Sequence, residues 1–315
     1  MTFPWHSAWT SLLLTFSFAP LALATEGGGG RPITGQQIAE GAGVVPPEPG
    51  FVVTLASIYY DGELKAGKQV PLIGAVSSGM DSRVSYNLAN LTYVWNTGPG
   101  RWNFASGIGL PLQYTDIRAS LTTPRAGIGT SDSSTQLSDL YLMPISAGYH
   151  ISKTEHFSLS LPIYAPTGAY DVNRLANAGQ NTWTFMPSVG YTRLGEASEF
   201  SALAAFEFYT PNHATDYHSG VLFRLDALWT TKVAAAWQLG VAGGWIEQVT
   251  DDKGATADRL DGFRGRSIGL GPIANWTGKL WNMPGTFSVR WVPEFEARNR
   301  PKGNGVQASL NLSLF

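Results

Sequence analysis

Charged residues that recur at every second position are the part of this sequence best able to do chemistry. Arg290, Glu294 and Glu296 share one face of an alternating stretch with Ser288, while Phe287, Val289, Trp291 and Phe295 occupy the other. Arg224 and Asp226 alternate with Phe223, Leu225, Ala227 and Trp229, and Glu207 lies between Phe206 and Phe208. A face carrying both signs of charge can fill an interior with ion pairs, or it can line a constriction that selects what passes. Tyr164, Met186 and Tyr209 fall on the same face and suit a hydrophobic or aromatic guest.

Catalytic chemistry finds less support. The run Tyr217-His218-Ser219-Gly220 sets a histidine beside a serine, the pair an ester hydrolase needs. Adjacent strand residues point to opposite faces, however, so the two cannot meet one substrate without a bulge. The chain lacks the phosphate-loop pattern Gly-x-x-x-x-Gly-Lys, the nucleophile pattern Gly-x-Ser-x-Gly and the i, i+4 histidine pair of a helical zinc site. It has no cysteine, which excludes disulfides, thiolate metal sites and cysteine nucleophiles. No metal or other cofactor is expected, and a net charge of -2 gives no reason to expect nucleic acid.

The elements that must position these residues are strands. Charged residues make up 14% of the 315, well under the roughly 25% usual in soluble domains, while there are 36 glycines and 11 tryptophans. After the N-terminus no apolar run is long enough for a spanning helix. A chain that spans must then do so as a closed barrel. The alternation marks about twelve segments of roughly ten residues, the length a tilted strand needs to cross. They are 51–60, 86–95, 102–114, 137–150, 157–165, 182–193, 200–209, 217–229, 233–249, 266–277, 286–296 and 306–315.

Long polar gaps at 61–85, 115–136, 166–181 and 250–265 alternate with short ones at 98–100, 152–156, 195–199 and 230–232. Outer-membrane barrels place long loops outside and short turns in the periplasm. Trp95, Trp102, Tyr149, Tyr191, Trp229, Trp237, Trp276 and Trp281 lie beside the short gaps, as one aromatic girdle. The fold predicted is all-β: an antiparallel transmembrane β-barrel of about twelve strands with both termini in the periplasm.

Residues 1–24 read as a signal peptide, with an apolar run ending in Ala22-Leu23-Ala24. Residues 25–50 form a Gly/Pro-rich extension, either periplasmic or tucked into the lumen, and 51–315 form the barrel. The last strand ends at Phe315, which suits recognition by the barrel-assembly machinery. Pro111, Pro144, Pro162, Pro187, Pro272 and Pro293 fall inside expected strands, where each removes a ladder donor. Some of them are expected to mark bulges or gaps in the wall.

Several runs carry a family likeness. They are Pro47 to Phe51, Ala165-Pro166-Thr167-Gly168-Ala169-Tyr170-Asp171, and the spaced set Asn177, Gly179, Asn181, Trp183, Phe185 and Pro187. Tyr217, Ser219, Gly220 and Asp226 follow, then the run from Gly244 to Asp251, then Gly269 and Gly271-Pro272. The run from Glu294 to Gly303 closes the set. On these residues the chain resembles a family of outer-membrane transporters associated with the meta-cleavage pathway of phenol degradation. The resemblance implies an outer-membrane location and uptake of aromatic or other small hydrophobic solutes, with no agreed binding residues to carry over. The expected function is passive diffusion of such solutes by a non-enzymatic barrel whose partners are outer-membrane lipids, the solutes and the assembly machinery. The alternatives are a lipid hydrolase, a structural or adhesive barrel acting through its external loops, and a non-selective porin.

Overall fold

Alternation of apolar and polar residues becomes a closed wall in the computed structural model, which describes residues 31–64, 70–72, 75–77, 79–98, 100–123 and 126–314. The first half of the wall comprises β1 (Gly50–Leu64), β4 (Gly79–Val94), β5 (Trp102–Thr123), β6 (Ala126–Leu137), β7 (Leu140–His150), β8 (Glu155–Ser160) and β9 (Ile163–Ala165). A small separate hairpin, β2 (Val70–Leu72) and β3 (Ala75–Ser77), lies between β1 and β4. The second half comprises β10 (Thr184–Phe185), β11 (Ser188–Leu194), β12 (Ser198–Tyr209), β13 (Leu222–Lys232), β14 (Trp237–Gln248), β15 (Arg266–Leu280), β16 (Met283–Arg298) and β17 (Lys302–Leu314). One short helix, α1 (Ala255–Asp258), precedes β15.

Every wall pairing is antiparallel, and β17 closes onto β1 from Phe51↔Leu314 to Glu63↔Lys302. β6 with β7, β8 with β9, and β10 with β11 each form one interrupted strand, so the barrel has twelve. Closure leaves no strand edge for hydrocarbon to contact. The outer face is apolar: Leu110 exposes 52%, Val189 50% and Leu270 56% of its surface, an arrangement suited to lipid and costly in water. Aromatic groups ring both ends. Trp102 packs on Tyr149 and Phe157 near the short turns, and Phe223 packs on Phe206 and Trp245 near the long loops.

Several expectations need correction. Much of the expected loops 61–85 and 115–136 is strand, because β1, β4, β5 and β6 continue pairing past the apolar band. β13 begins at Leu222 instead of 217, and the turn expected at 230–232 falls at 233–236. The signal peptide, 1–24, and Phe315 lie outside the described residues. The prolines interrupt the wall as their chemistry requires. Pro162 separates β8 from β9, Pro187 separates β10 from β11, and a register shift opposite Pro144 breaks the β5–β7 ladder. Another bulge, between Ile268 and Gly269, sets Phe295 opposite no partner and turns Glu296 outward.

Residues 31–46 of the expected extension lie inside the barrel, and Pro47 to Pro49 are exposed before β1 begins. The segment starts near the upper turns, where Arg300 donates to the Pro32 carbonyl at 2.7 Å, and descends past β13 to β17. Ile38 packs on Leu228, Ala242, Ile273 and Val292. It then crosses the floor: Gly41 N–H bonds Glu199 at 2.7 Å, Gly43 N–H bonds Thr192 at 2.9 Å, and Ser158 donates to Ala42 at 2.8 Å. Val45 packs on Val94 and Ala105 before β1 begins. Glycines make this approach feasible, since a Cβ on Gly190 would lie 2.2 Å from the Ala42 oxygen. Gly190→Val is therefore expected to push the segment off the floor while the barrel still shows a heat-dependent shift on a gel. Limited proteolysis checks this, with cleavage near residues 40–46 in the variant and protection in the parent.

Candidate functional site: a cavity in the lumen

The inward faces are built from small and polar residues, so a barrel of this size keeps free space beside the buried segment. A cavity of about 470 Å³ lies between that segment and the inner faces of β1, β4, β5 and β7 to β9. Its boundary includes Thr54, Tyr86, Gln113, Tyr141, Tyr164 and Met186 from the wall and Gln36 and Ile38 from the segment.

The sequence-derived candidates divide into three groups. Tyr164, Met186, Arg224, Arg290 and Glu294 reach the cavity. Glu207, Tyr209 and Asp226 are buried behind it. Arg224 Nε lies 3.8 Å from Glu207 and 3.7 Å from Asp226, and the Tyr209 hydroxyl donates to Glu207 at 2.6 Å. Glu296 belongs to neither group: the bulge at Phe295 places it on the outer face, paired with Arg266 at 3.2 Å. A strict period of two could not foresee that shift.

Much of this charge holds the internal segment. A backbone buried in a lumen needs partners for its N–H and C=O groups. Asp226 accepts the Gly35 N–H at 2.9 Å, and Arg290 donates to the Gly35 carbonyl at 3.2 Å. Glu294 accepts from Thr34 at 2.5 Å, from the Tyr60 hydroxyl at 2.8 Å and from Gly303 N–H at 2.9 Å.

The top of the cavity rests on residues that sequence reasoning missed. Asp139, fully buried between β6 and β7, accepts Gly168 N–H and Gln180 N–H, each at 2.9 Å, and pairs with Arg31 at 2.5 Å. It thereby ties the loop 166–183 to the head of the segment, and Asn177 to Gln180 become a lid on the cavity. Gly168 and Gly179 are required by contact: a Cβ on either would lie 2.7 Å from the backbone of Asp139 or Gly168. Leu175 pins the lid from above, packed with Leu64, Met80, Ile117, Ala119 and Phe263. The fixed glycines of the family-like run were the available signal. Their partner, Asp139, lies about thirty residues away in sequence and showed none.

His218 and Ser219 sit in the long-side loop between β12 and β13. Imidazole Nε2 meets the Tyr209 carbonyl at 2.9 Å, and the Asp252 carboxylate accepts Gly220 N–H at 2.6 Å. Burial raises the Asp252 carboxyl above its ordinary range, while bonds from Gly220, Tyr217 and Gln248 act in the opposite direction.

The latch gives a direct test. Asp139→Asn keeps one acceptor but loses the ion pair and one of the two loop contacts, a cost of about 3 kcal/mol for a broken buried pair. Hydrogen exchange is expected to show faster exchange across 168–180, with the barrel strands still protected.

Comparison with known proteins agrees with this architecture. No curated protein sequence matches the chain significantly. An outer membrane channel from Pseudomonas putida F1 is 14% identical, with a TM-score of 0.70 over 88% of this chain and 100% of that one. The β domain of the Bordetella autotransporter BrkA is 15% identical over 84% and 99% of the two chains, with a TM-score of 0.47. A Pseudomonas aeruginosa FadL homologue is 10% identical over 94% and 99%, with a TM-score of 0.40. The family described as MetA-pathway of phenol degradation matches residues 65–310, nearly all of the wall. The chain belongs to that family, as a β-barrel of the bacterial outer membrane.

Proposed function

We propose that the barrel admits small hydrophobic or aromatic compounds from outside and releases them by passive diffusion, sideways through its wall into the outer membrane. The observation that carries this reading is a line of weakened wall pairing that meets the cavity, where Leu161 N–H to Ile145 and Met186 N–H to Pro162 are backbone bonds left across the prolines. Ser146, Ser160 and Ser188 form one row across β7, β8 and β11, and all three line the cavity. Pro144, Pro162 and Pro187 lie one or two residues above that row, where the ladder is interrupted. Outside it stand Ile145, Leu159, Phe185 and Val189, an apolar surface for lipid to contact.

The other proline pair, Pro272 and Pro293, sits behind the segment, where Ile38 packs on Val292, and touches no part of the cavity. One seam thus combines interrupted pairing, small inward side chains and an open space behind it. A guest leaving here passes the serine row and meets an apolar outer face, and the floor segment can remain in place. Rival readings draw less support. The engaged His218 speaks against a hydrolase, the occupied lumen against a wide porin, and an adhesive barrel needs no cavity.

Ser188→Trp puts an indole into the seam. Uptake of toluene by cells carrying the variant is expected to fall about tenfold, equivalent to ~1.4 kcal/mol of added barrier, with the protein still folded in the outer membrane. Uptake equal to that of the parent overturns the sideways route.

A further inference from the structure

The ionic lining of the cavity is unbalanced. Arg31, Arg224, Arg290 and Arg300 reach it, against one carboxylate, Glu294, whose oxygens already accept three hydrogen bonds. Glu207 and Asp226 compensate Arg224, and Asp139 compensates Arg31, from behind, and none of these carboxylates lines the space.

Arg224 is the most telling of the four. It is 1% exposed, yet its Nε and one terminal nitrogen make no hydrogen bond. Its other terminal nitrogen meets the Met186 sulfur at 3.3 Å, a weak acceptor, and its carboxylate neighbours stand beyond hydrogen-bond reach of Nε at 3.7 and 3.8 Å. Buried guanidinium donors left unspent cost free energy until an acceptor reaches them. Around them the lining is aromatic and soft. Tyr141 and Tyr164 meet edge to face at 5.4 Å, and Arg31 lies 4.6 Å over the Tyr164 ring.

We propose that the cavity seats an aromatic carboxylate, its anionic head on Arg224 and its ring among Tyr141, Tyr164, Met186 and Pro162. This deepens the transport reading and rests on it, since it names the guest's polar group, which takes up a proton from water before the guest crosses the seam into lipid. A planar carboxylate matches the guanidinium fork, and the fixed counter-charges of Glu207 and Asp226 keep the attraction weak enough for the guest to leave. The space, about 470 Å³, falls within the range of small-molecule pockets.

The test uses the full-length protein in detergent, with benzoate as probe and benzyl alcohol as its neutral counterpart, both followed by ligand-observed NMR titration. Benzoate is expected to bind about tenfold tighter than benzyl alcohol, as a charge-assisted pair requires. Arg224→Lys keeps the charge but loses the fork, and is expected to weaken benzoate about tenfold while leaving benzyl alcohol unchanged. The parent-protein comparison does not depend on the folding of any variant. Equal binding of both probes overturns the anion seat and leaves the transport reading standing. Binding of neither overturns both. Benzoate bound equally well by a folded Arg224→Lys protein places the anion elsewhere and overturns the assignment.

Discussion

In hydrocarbon no water is available to a peptide N–H or C=O, and each group left unpaired costs several kcal/mol. That constraint closes the wall of this protein, joining β17 to β1 over thirteen residue pairs. It also governs the interior. The segment 31–46 brings a second backbone into the lumen, and buried side chains must satisfy it one group at a time: Asp226 and Arg290 at Gly35, Glu199 at Gly41, Thr192 at Gly43. Packing the segment against these charges removes them from water, and the bonds they make to its backbone and to one another offset that cost.

The same constraint gives the proline positions their meaning. A residue without an N–H weakens the ladder wherever it sits, and its consequence depends on what stands behind it. At Pro272 and Pro293 the segment covers the gap, with Ile38 packed on Val292. At Pro144, Pro162 and Pro187 the cavity stands behind it, lined there by the serine row with Met143 and Met186. Lid, floor and seam then act together. Asp139 fixes the lid to the segment, the segment occupies the floor, and the interrupted stretch of wall is one side of the cavity, with the continuously paired β17, β1, β4 and β5 forming the other.

Architecture was legible because it rests on local pattern. Period-two alternation around Phe206, Phe223 and Phe287, together with alternating gap lengths, predicted twelve strands and which face of each meets lipid. Where local pattern failed, long-range geometry had intervened. The bulge at Phe295 reversed Glu296, and β5 and β6 kept pairing through residues too polar to read as strand. The site was less legible for the same reason. Asp139, Arg31 and the serine row come from distant parts of the chain, and nothing in the sequence near any of them announces the others.

The central claim is that guests pass while the segment stays in the lumen. The chain has no cysteine, so a single engineered disulfide can test it cleanly. A Cβ on Gly305 would lie 3.2 Å from Gln36 Cγ, the position a cysteine sulfur takes, so Gln36→Cys with Gly305→Cys suits a bridge. Uptake of toluene by cells carrying this pair, measured oxidised and then reduced, is expected to be the same in both states. Uptake that stops on oxidation and returns on reduction would mean that the segment must leave the lumen, and would contradict a sideways route past a fixed floor.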